Sequence, residues 1–238
     1  MHEPRSTSGH PVELRGFRRP QLLIFDVNET LSDLAPLGAR FVQLGLPEHS
    51  AGTWFAGLLR DGFALTAAGA SAPFAQIAAE SLRVLLGAHQ LNRGLEEAVG
   101  HVMHGFADLG VHADVPAGLT ALAQLDVRVV TLSNGSTDVA EELLSAAGVR
   151  HHFERLLSVQ DAGAWKPDSR SYAYALRQCQ VDPLDAMLVA VHPWDTDGAR
   201  RAGLSSAWIN RSADRYPAYF LAPDVEADSI ISLVEQLR

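Results

Sequence analysis

The chain has 238 residues, 47% of them hydrophobic and 20% charged, the balance of a globular protein rather than a disordered one. Its 19 Lys and Arg against 28 Asp and Glu give a formal net charge of -9. That charge is repelled by a phosphate backbone or an anionic membrane and argues against both as partners. The one cysteine, Cys179, allows no intramolecular disulfide and no cysteine-based zinc site, and it fits a cytoplasmic address.

Residues 1–20 are polar, without the apolar core of a signal peptide, and read as a loose arm. No apolar run approaches the roughly 18 residues of a membrane span. Gln21–Asp26 (QLLIFD) is a short apolar run ending in an acid, which predicts a buried strand of a parallel sheet. From 34 to 115 the β-branched runs stop. Thr53–Ala68, Phe74–Gly87 and Leu95–Leu109 carry helical periodicity, so a helical insert of lid size follows the first strand. Val127–Ser133 predicts a second strand, and Thr137–Ala147 a helix stopped by Gly148. Arg155–Val159 reads as a weaker strand and Ser169–Gln178 as a helix. Ala186–His192 is a third strong strand, broken by Pro193 and followed by a helix over Asp195–Ala202. Ser205–Asn210 and Ser229–Leu237 close the pattern as strand and helix. Alternating strands and helices indicate an α/β fold with a doubly wound parallel sheet. The expected organisation is an arm (1–20), a core (21–33 and 116–238) and a cap (34–115).

In open α/β sheets ligands bind beyond the carboxyl ends of the strands. The residues expected there are Asp26, Asn28 and Thr30; Ser133, Asn134 and Gly135; Lys166, Pro167, Asp168 and Tyr172; and His192, Pro193, Trp194 and Asp195. Asp26 can serve as a carboxylate nucleophile through an ester. Lys166 would keep it ionised, and Thr30 and Ser133 can donate hydrogen bonds to it. Asp195 could orient or deprotonate a hydrolytic water.

The motifs D-V-N-E-T at 26–30, L-S-N-G-S at 132–136, K-P-D at 166–168 and W-D-T-D-G-A at 194–199 resemble the haloacid dehalogenase superfamily, and its L-2-haloacid dehalogenase branch most closely. The resemblance implies a doubly wound core with a helical cap. It also implies attack by Asp26 on a halogen-bearing carbon of a short 2-haloalkanoic acid, followed by hydrolysis of the aspartyl ester. Phosphatases of the superfamily carry an acid where this chain has Asn28, and a metal-ligating aspartate where it has Val191. The expectation is therefore an enzyme with no metal and no cofactor. In the dehalogenase branch the halide-binding groups resemble Arg60 in W-F-A-G-L-L-R (54–60), with Arg40 as competitor, and Asn134. Tyr172 is expected beside the site and Trp194 as a pocket wall. His192 stands where the branch often shows asparagine. A donor there suits fluoride, and some members of the family cleave fluoroacetate. The alternatives left open are a Mg²⁺-dependent phosphatase and a catalytically silent binding protein of the same fold. A small-molecule partner is expected, and a homodimer is compatible with the resemblance.

Overall fold

The computed structural model describes residues 19–238; residues 1–18 of the expected arm lie outside them. At the centre of the sheet is β1 (Leu22–Phe25), four buried apolar residues. Their side chains alternate between two cores, as the period of a strand requires. Leu22 and Ile24 face one apolar cluster, Leu23 and Phe25 the other. Full burial of each such side chain stabilises the fold by about 1.5–3 kcal/mol. The other strands are β2 (Arg128–Ser133), β3 (Arg155–Ser158), β4 (Ala186–Ala190), β5 (Ser205–Ile209) and β6 (Val225–Ala227). They form one six-stranded parallel sheet in the order β3-β2-β1-β4-β5-β6. The order reverses between β1 and β4, where a crevice opens at the carboxyl ends in doubly wound sheets.

Four helices follow β1: α1 (Leu37–Val42), α2 (Ser50–Ala67), α3 (Phe74–Gly87) and α4 (Leu95–Ala107). The last three match the expected helical stretches to within a few residues. α1, β6 and a later helix over Val115–Leu122 are the elements that periodicity alone did not reveal, being six, three and eight residues long. The insert is held by its own aromatic cluster, in which Trp54, Phe55, Phe74 and Phe106 pack at 5.4–6.5 Å between ring centres. Its two connections to the sheet run antiparallel. Ser32 bridges Val111, Asp33 N–H donates to Gly110 (2.8 Å) and His112 N–H donates to Leu31 (2.9 Å).

Five helices cover the sheet: α5 (Val115–Leu122), α6 (Thr137–Ala146), α7 (Ser169–Cys179), α8 (Pro193–Arg201) and α9 (Ile230–Leu237). Side-chain caps from Ser136, Asp168 and Ser229 start α6, α7 and α9 by accepting a first-turn N–H. Among the described residues no helix is long and apolar enough to cross a membrane.

Candidate active site

Strand β1 ends at Phe25, and the next residue, Asp26, has left the ladder with its carboxylate over the crevice. Its backbone N–H still bonds Val189 at 3.0 Å. Lys166 arrives from the loop before α7. Its Nζ donates to Asp26 Oδ1 at 2.9 Å and to Asp195 Oδ2 at 2.6 Å, bridging two buried carboxylates. Thr30 Oγ1 donates to Asp26 Oδ2 (2.7 Å) and accepts the Val191 N–H (3.1 Å), so one hydroxyl ties the turn after β1 to the end of β4. Tyr172, fully buried in α7, donates to Asp195 Oδ1 at 2.6 Å. Both oxygens of Asp195 are thus engaged by protein donors.

His192 lies between Asp26 and a residue the motif reading passed over. Its Nδ1 is 3.4 Å from Asp26 Oδ2, and its Nε2 is 2.7 Å from Glu29 Oε2. Among the described residues the Nδ1 has no hydrogen-bond partner. The ring stacks on Trp194 at 4.9 Å, and Trp194 in turn meets Phe63 of α2 edge-on at 4.9 Å. Exposure falls steadily along this row: the side chains of Glu29, His192 and Asp26 are 39%, 13% and 5% exposed. A cavity of about 310 Å³ opens on the Glu29 side.

These contacts set the charges. Burial opposes ionisation of Asp26, but Lys166, His192 and the Thr30 hydroxyl outweigh it and hold the carboxyl well below the ordinary range. Burial likewise opposes the charge on Lys166, and Asp195 and Asp26 overcome it and raise the ammonium pKa. Burial, with Asp26 nearby, pushes Asp195 up against the pull of Lys166. The buried Tyr172 hydroxyl is pushed well above its usual value and remains a neutral donor. His192 is lifted to about 9, against burial, by contacts with Asp26 and Glu29. At neutral pH the site therefore holds an imidazolium beside the Asp26 carboxylate.

The expected residues divide accordingly. Asp26, Thr30, Lys166, Asp195, Tyr172, His192 and Trp194 are brought together. Ser133 and Asn134 lie beside them, buried, but are engaged elsewhere. Ser133 Oγ accepts the Gly135 N–H (2.9 Å). The Asn134 amide spans the peptide unit of Lys166, its Oδ1 accepting the Lys166 N–H (3.0 Å) and its Nδ2 donating to the Lys166 carbonyl (3.5 Å). Asn134 thus holds the lysine loop. The expectation for Arg60 finds no geometric support. α2 buries Trp54, Phe55, Leu58, Leu59 and Gly62. Arg60 falls on the opposite face, 76% exposed and paired with Asp61 at 2.8 Å. Arg40 does not reach the site either; it lies over Gly105 of α4, 3.6 Å from Asp108. What α2 does offer the site is Phe63. The insert also clamps the lysine loop: Trp165 N–H donates to Thr66 Oγ1 (3.1 Å), and its ring stacks on Phe74 at 5.8 Å.

The sequence-only reading missed Glu29 and Phe63. A carboxylate immediately after Asn28 and a histidine after β4 were both visible, but nothing in their spacing said that they meet.

Among proteins of known activity, the chain is 34% identical over 127 residues to (S)-2-haloacid dehalogenase of Pseudomonas sp. (strain YL), a match covering 53% of this chain and 55% of that protein. It is 26% identical over 216 residues to (S)-2-haloacid dehalogenase 1 of Pseudomonas sp. (strain CBS-3), covering 90% and 94%. The match to the strain YL enzyme thus spans little more than half of that relative's length. The structure of L-2-haloacid dehalogenase from Xanthobacter autotrophicus superposes with a TM-score of 0.84 at 22% identity, over 92% of this chain and 98% of that one, a likeness of fold. The family model of haloacid dehalogenase-like hydrolases matches residues 20–203. The chain belongs to the haloacid dehalogenase-like hydrolases.

Proposed function

We propose that the protein hydrolyses the carbon–halogen bond of short 2-haloalkanoic acids through an ester on Asp26. The observation that carries this reading is the state of Asp26: a buried carboxylate held ionised by Lys166 and Thr30, with an imidazolium 3.4 Å away. An Asp26 oxygen attacks C2, the new C–O bond forms, and the halide leaves with the bonding electrons. In the described residues neither Arg60 nor Arg40 faces that ion, so the imidazolium of His192 is the cation that can receive it, through a charge-assisted hydrogen bond. The N-termini of α6 and α8 begin at the same strand ends and favour an anionic substrate.

Esterification removes the charge of Asp26, and with it part of what lifts His192 to about 9. As the halide departs, the imidazolium gives its proton to solvent and returns toward its ordinary range, and the neutral ring can accept a new one, with Glu29 stabilising the imidazolium that forms. Water adds to the Asp26 carboxyl carbon as His192 takes one of its protons, and the ester C–O bond breaks with the other proton passing to the leaving alkoxide, which releases the 2-hydroxy acid and restores the Asp26 carboxylate. Asp195, with both oxygens engaged, orients Lys166. One histidine thus serves as cation in the first half of the reaction and as base in the second.

Fluoride, small and strongly accepting, suits the imidazolium donor. Trp194 and Phe63 close the space around the reacting carbon and favour acetates over longer acids. The test is halide release from fluoroacetate, chloroacetate and both 2-chloropropionate enantiomers, in EDTA and in Mg²⁺. The reading expects release in EDTA, fluoride included. Release that requires Mg²⁺, or hydrolysis of a phosphate ester without any dehalogenation, would overturn it in favour of the phosphatase alternative.

A further inference from the structure

The carboxylate that pairs with His192 sits on an unusual piece of backbone. Glu29 has φ +63°, the left-handed region that a non-glycine residue enters at a cost and keeps only when its surroundings over-determine it. Two contacts fix it. The Glu29 N–H donates to Ser32 Oγ at 3.2 Å, a contact within the same turn. The other comes from far along the chain: His112 Nε2 lies 2.9 Å from the Glu29 carbonyl, 83 residues away in sequence.

His112 belongs to the second connection between insert and core. Its own N–H donates to Leu31, and its neighbour Val111 bridges Ser32. The strand that returns from the helical insert therefore grips, side chain to carbonyl, the turn that carries the base partner. The cavity of about 310 Å³ beside Glu29 and His192 also touches His112, so the contact borders a space with room for the turn to relax into. Without the His112 donor, the Glu29 carbonyl loses the long-range partner it has among the described residues, and the carboxylate is left to hold its place by its own contact with His192 Nε2.

We propose that His112 is a positioning residue: through the Glu29 carbonyl it holds the Glu29 carboxylate against His192, and so couples the hinge of the insert to ester hydrolysis. The proposal rests on the assignment of His192 and Glu29 as the base of the second half-reaction. It has a consequence specific to that half. The first step keeps its imidazolium, because Asp26 itself still raises His192. The second step loses the carboxylate that stabilises the protonated ring. Weakening the His112 contact should therefore slow ester hydrolysis while sparing alkylation.

The experiment mixes enzyme with excess chloroacetate, follows the chloride burst against the steady rate, and measures by mass spectrometry the fraction of Asp26 present as ester. Three replacements are compared. His112→Leu removes the donor. His112→Asn keeps polarity but is too short to reach the carbonyl. His112→Gln keeps an N–H at similar reach. The proposal expects a burst of normal size for Leu and Asn, a steady rate lowered about tenfold or more, and ester accumulating on Asp26, with Gln restoring most of the loss. Burst and steady rate falling together in all three, without ester, would mean that His112 is only a fastener of the hinge, and would overturn the proposal. So would wild-type behaviour of Leu and Asn. Glu29→Gln is run alongside. If that replacement leaves ester hydrolysis unchanged, the underlying base assignment is wrong whatever His112 does. If it accumulates ester while His112→Leu does not, the positioning role alone is refuted.

Discussion

The strand ends and the helical insert meet at one site but are built on opposite plans. The strand ends carry the charge: Asp26, Lys166 and Asp195 are buried in a continuous row of ion pairs, with Glu29 and His192 extending it toward solvent. The insert brings apolar surface. Its aromatic rings fill its own core, one of them (Phe63) packs against Trp194 beside the site, and its Arg40 and Arg60 pair with acids of the insert itself. Chemistry that depends on fixed charges lives where the backbone is least able to move, at the ends of central parallel strands. Shape and closure come from the helices. Replacements should accordingly fall into two tiers.

The largest effect is expected at Asp26. Asp26→Asn turns a carboxylate into an amide, a far weaker nucleophile, and turnover should drop by about 10⁴-fold or more in halide-release assays. Residual activity above about one percent would mean that Asp26 is not the attacking group. Next is Lys166→Met, which leaves two carboxylates facing each other without their bridging cation. Removing one partner of a buried ion pair costs about 3–5 kcal/mol, a large share of the roughly 5–15 kcal/mol that holds a domain together. Denaturant titration should show the loss, and Asp195→Asn in the same background should recover part of it. Unchanged stability would show that water reaches this row more freely than its burial indicates.

A smaller and pH-specific effect comes from His192. Its pKa is raised to about 9, so the imidazolium is present below that pH. Halide release in the first step should fall as pH rises through about 9, while the acid limb lies below the ordinary carboxylate range because Asp26 is pushed down. The sign for stability is the same. The pairing contributes in full below the unfolded histidine pKa of about 6.5 and is lost as pH rises through the folded value. In His192→Asn the alkaline limb should disappear. Fluoride release should also suffer more than chloride release; an unchanged ratio would remove the halide-receiving role from His192.

The smallest effects separate the insert from the strand ends. Phe63→Ala should raise activity on 2-chlorobutyrate relative to chloroacetate by roughly tenfold, since it opens space next to Trp194. Arg60→Ala and Arg40→Ala should alter halide release by less than about twofold, because exposed pairs contribute little. A large loss at either arginine would mean that α2 or α1 turns toward Asp26 during turnover.

The same contrast explains what could be read from the sequence. Asp26 was legible because an acid placed just past a buried strand has few places to go but the crevice, and Lys166 and Asp195 because their motifs stand in the loops that follow later strands of the same sheet. The order of strands and helices made the α/β class legible too. Arg60 lies on the solvent face because a helix turns by about 100° per residue, so one step past Leu59 carries a side chain from core to solvent. The quoted motif contained the arginine but not its phase. Asn134 was read as a free donor because an amide's partners are invisible until the Lys166 peptide is seen lying across it. Glu29 was hidden by its backbone. Only the left-handed turn after β1 aims its carboxylate at His192, and composition offered no hint of a non-glycine residue there.

The central claim, attack by Asp26 followed by hydrolysis at its own carboxyl carbon, is tested most directly by a single turnover of chloroacetate in H₂¹⁸O with enzyme in excess. The account predicts one ¹⁸O in the peptide that contains Asp26 and none in the released glycolate. Label in the glycolate with an unlabelled Asp26 would mean that water attacks the substrate carbon directly, and would contradict the account.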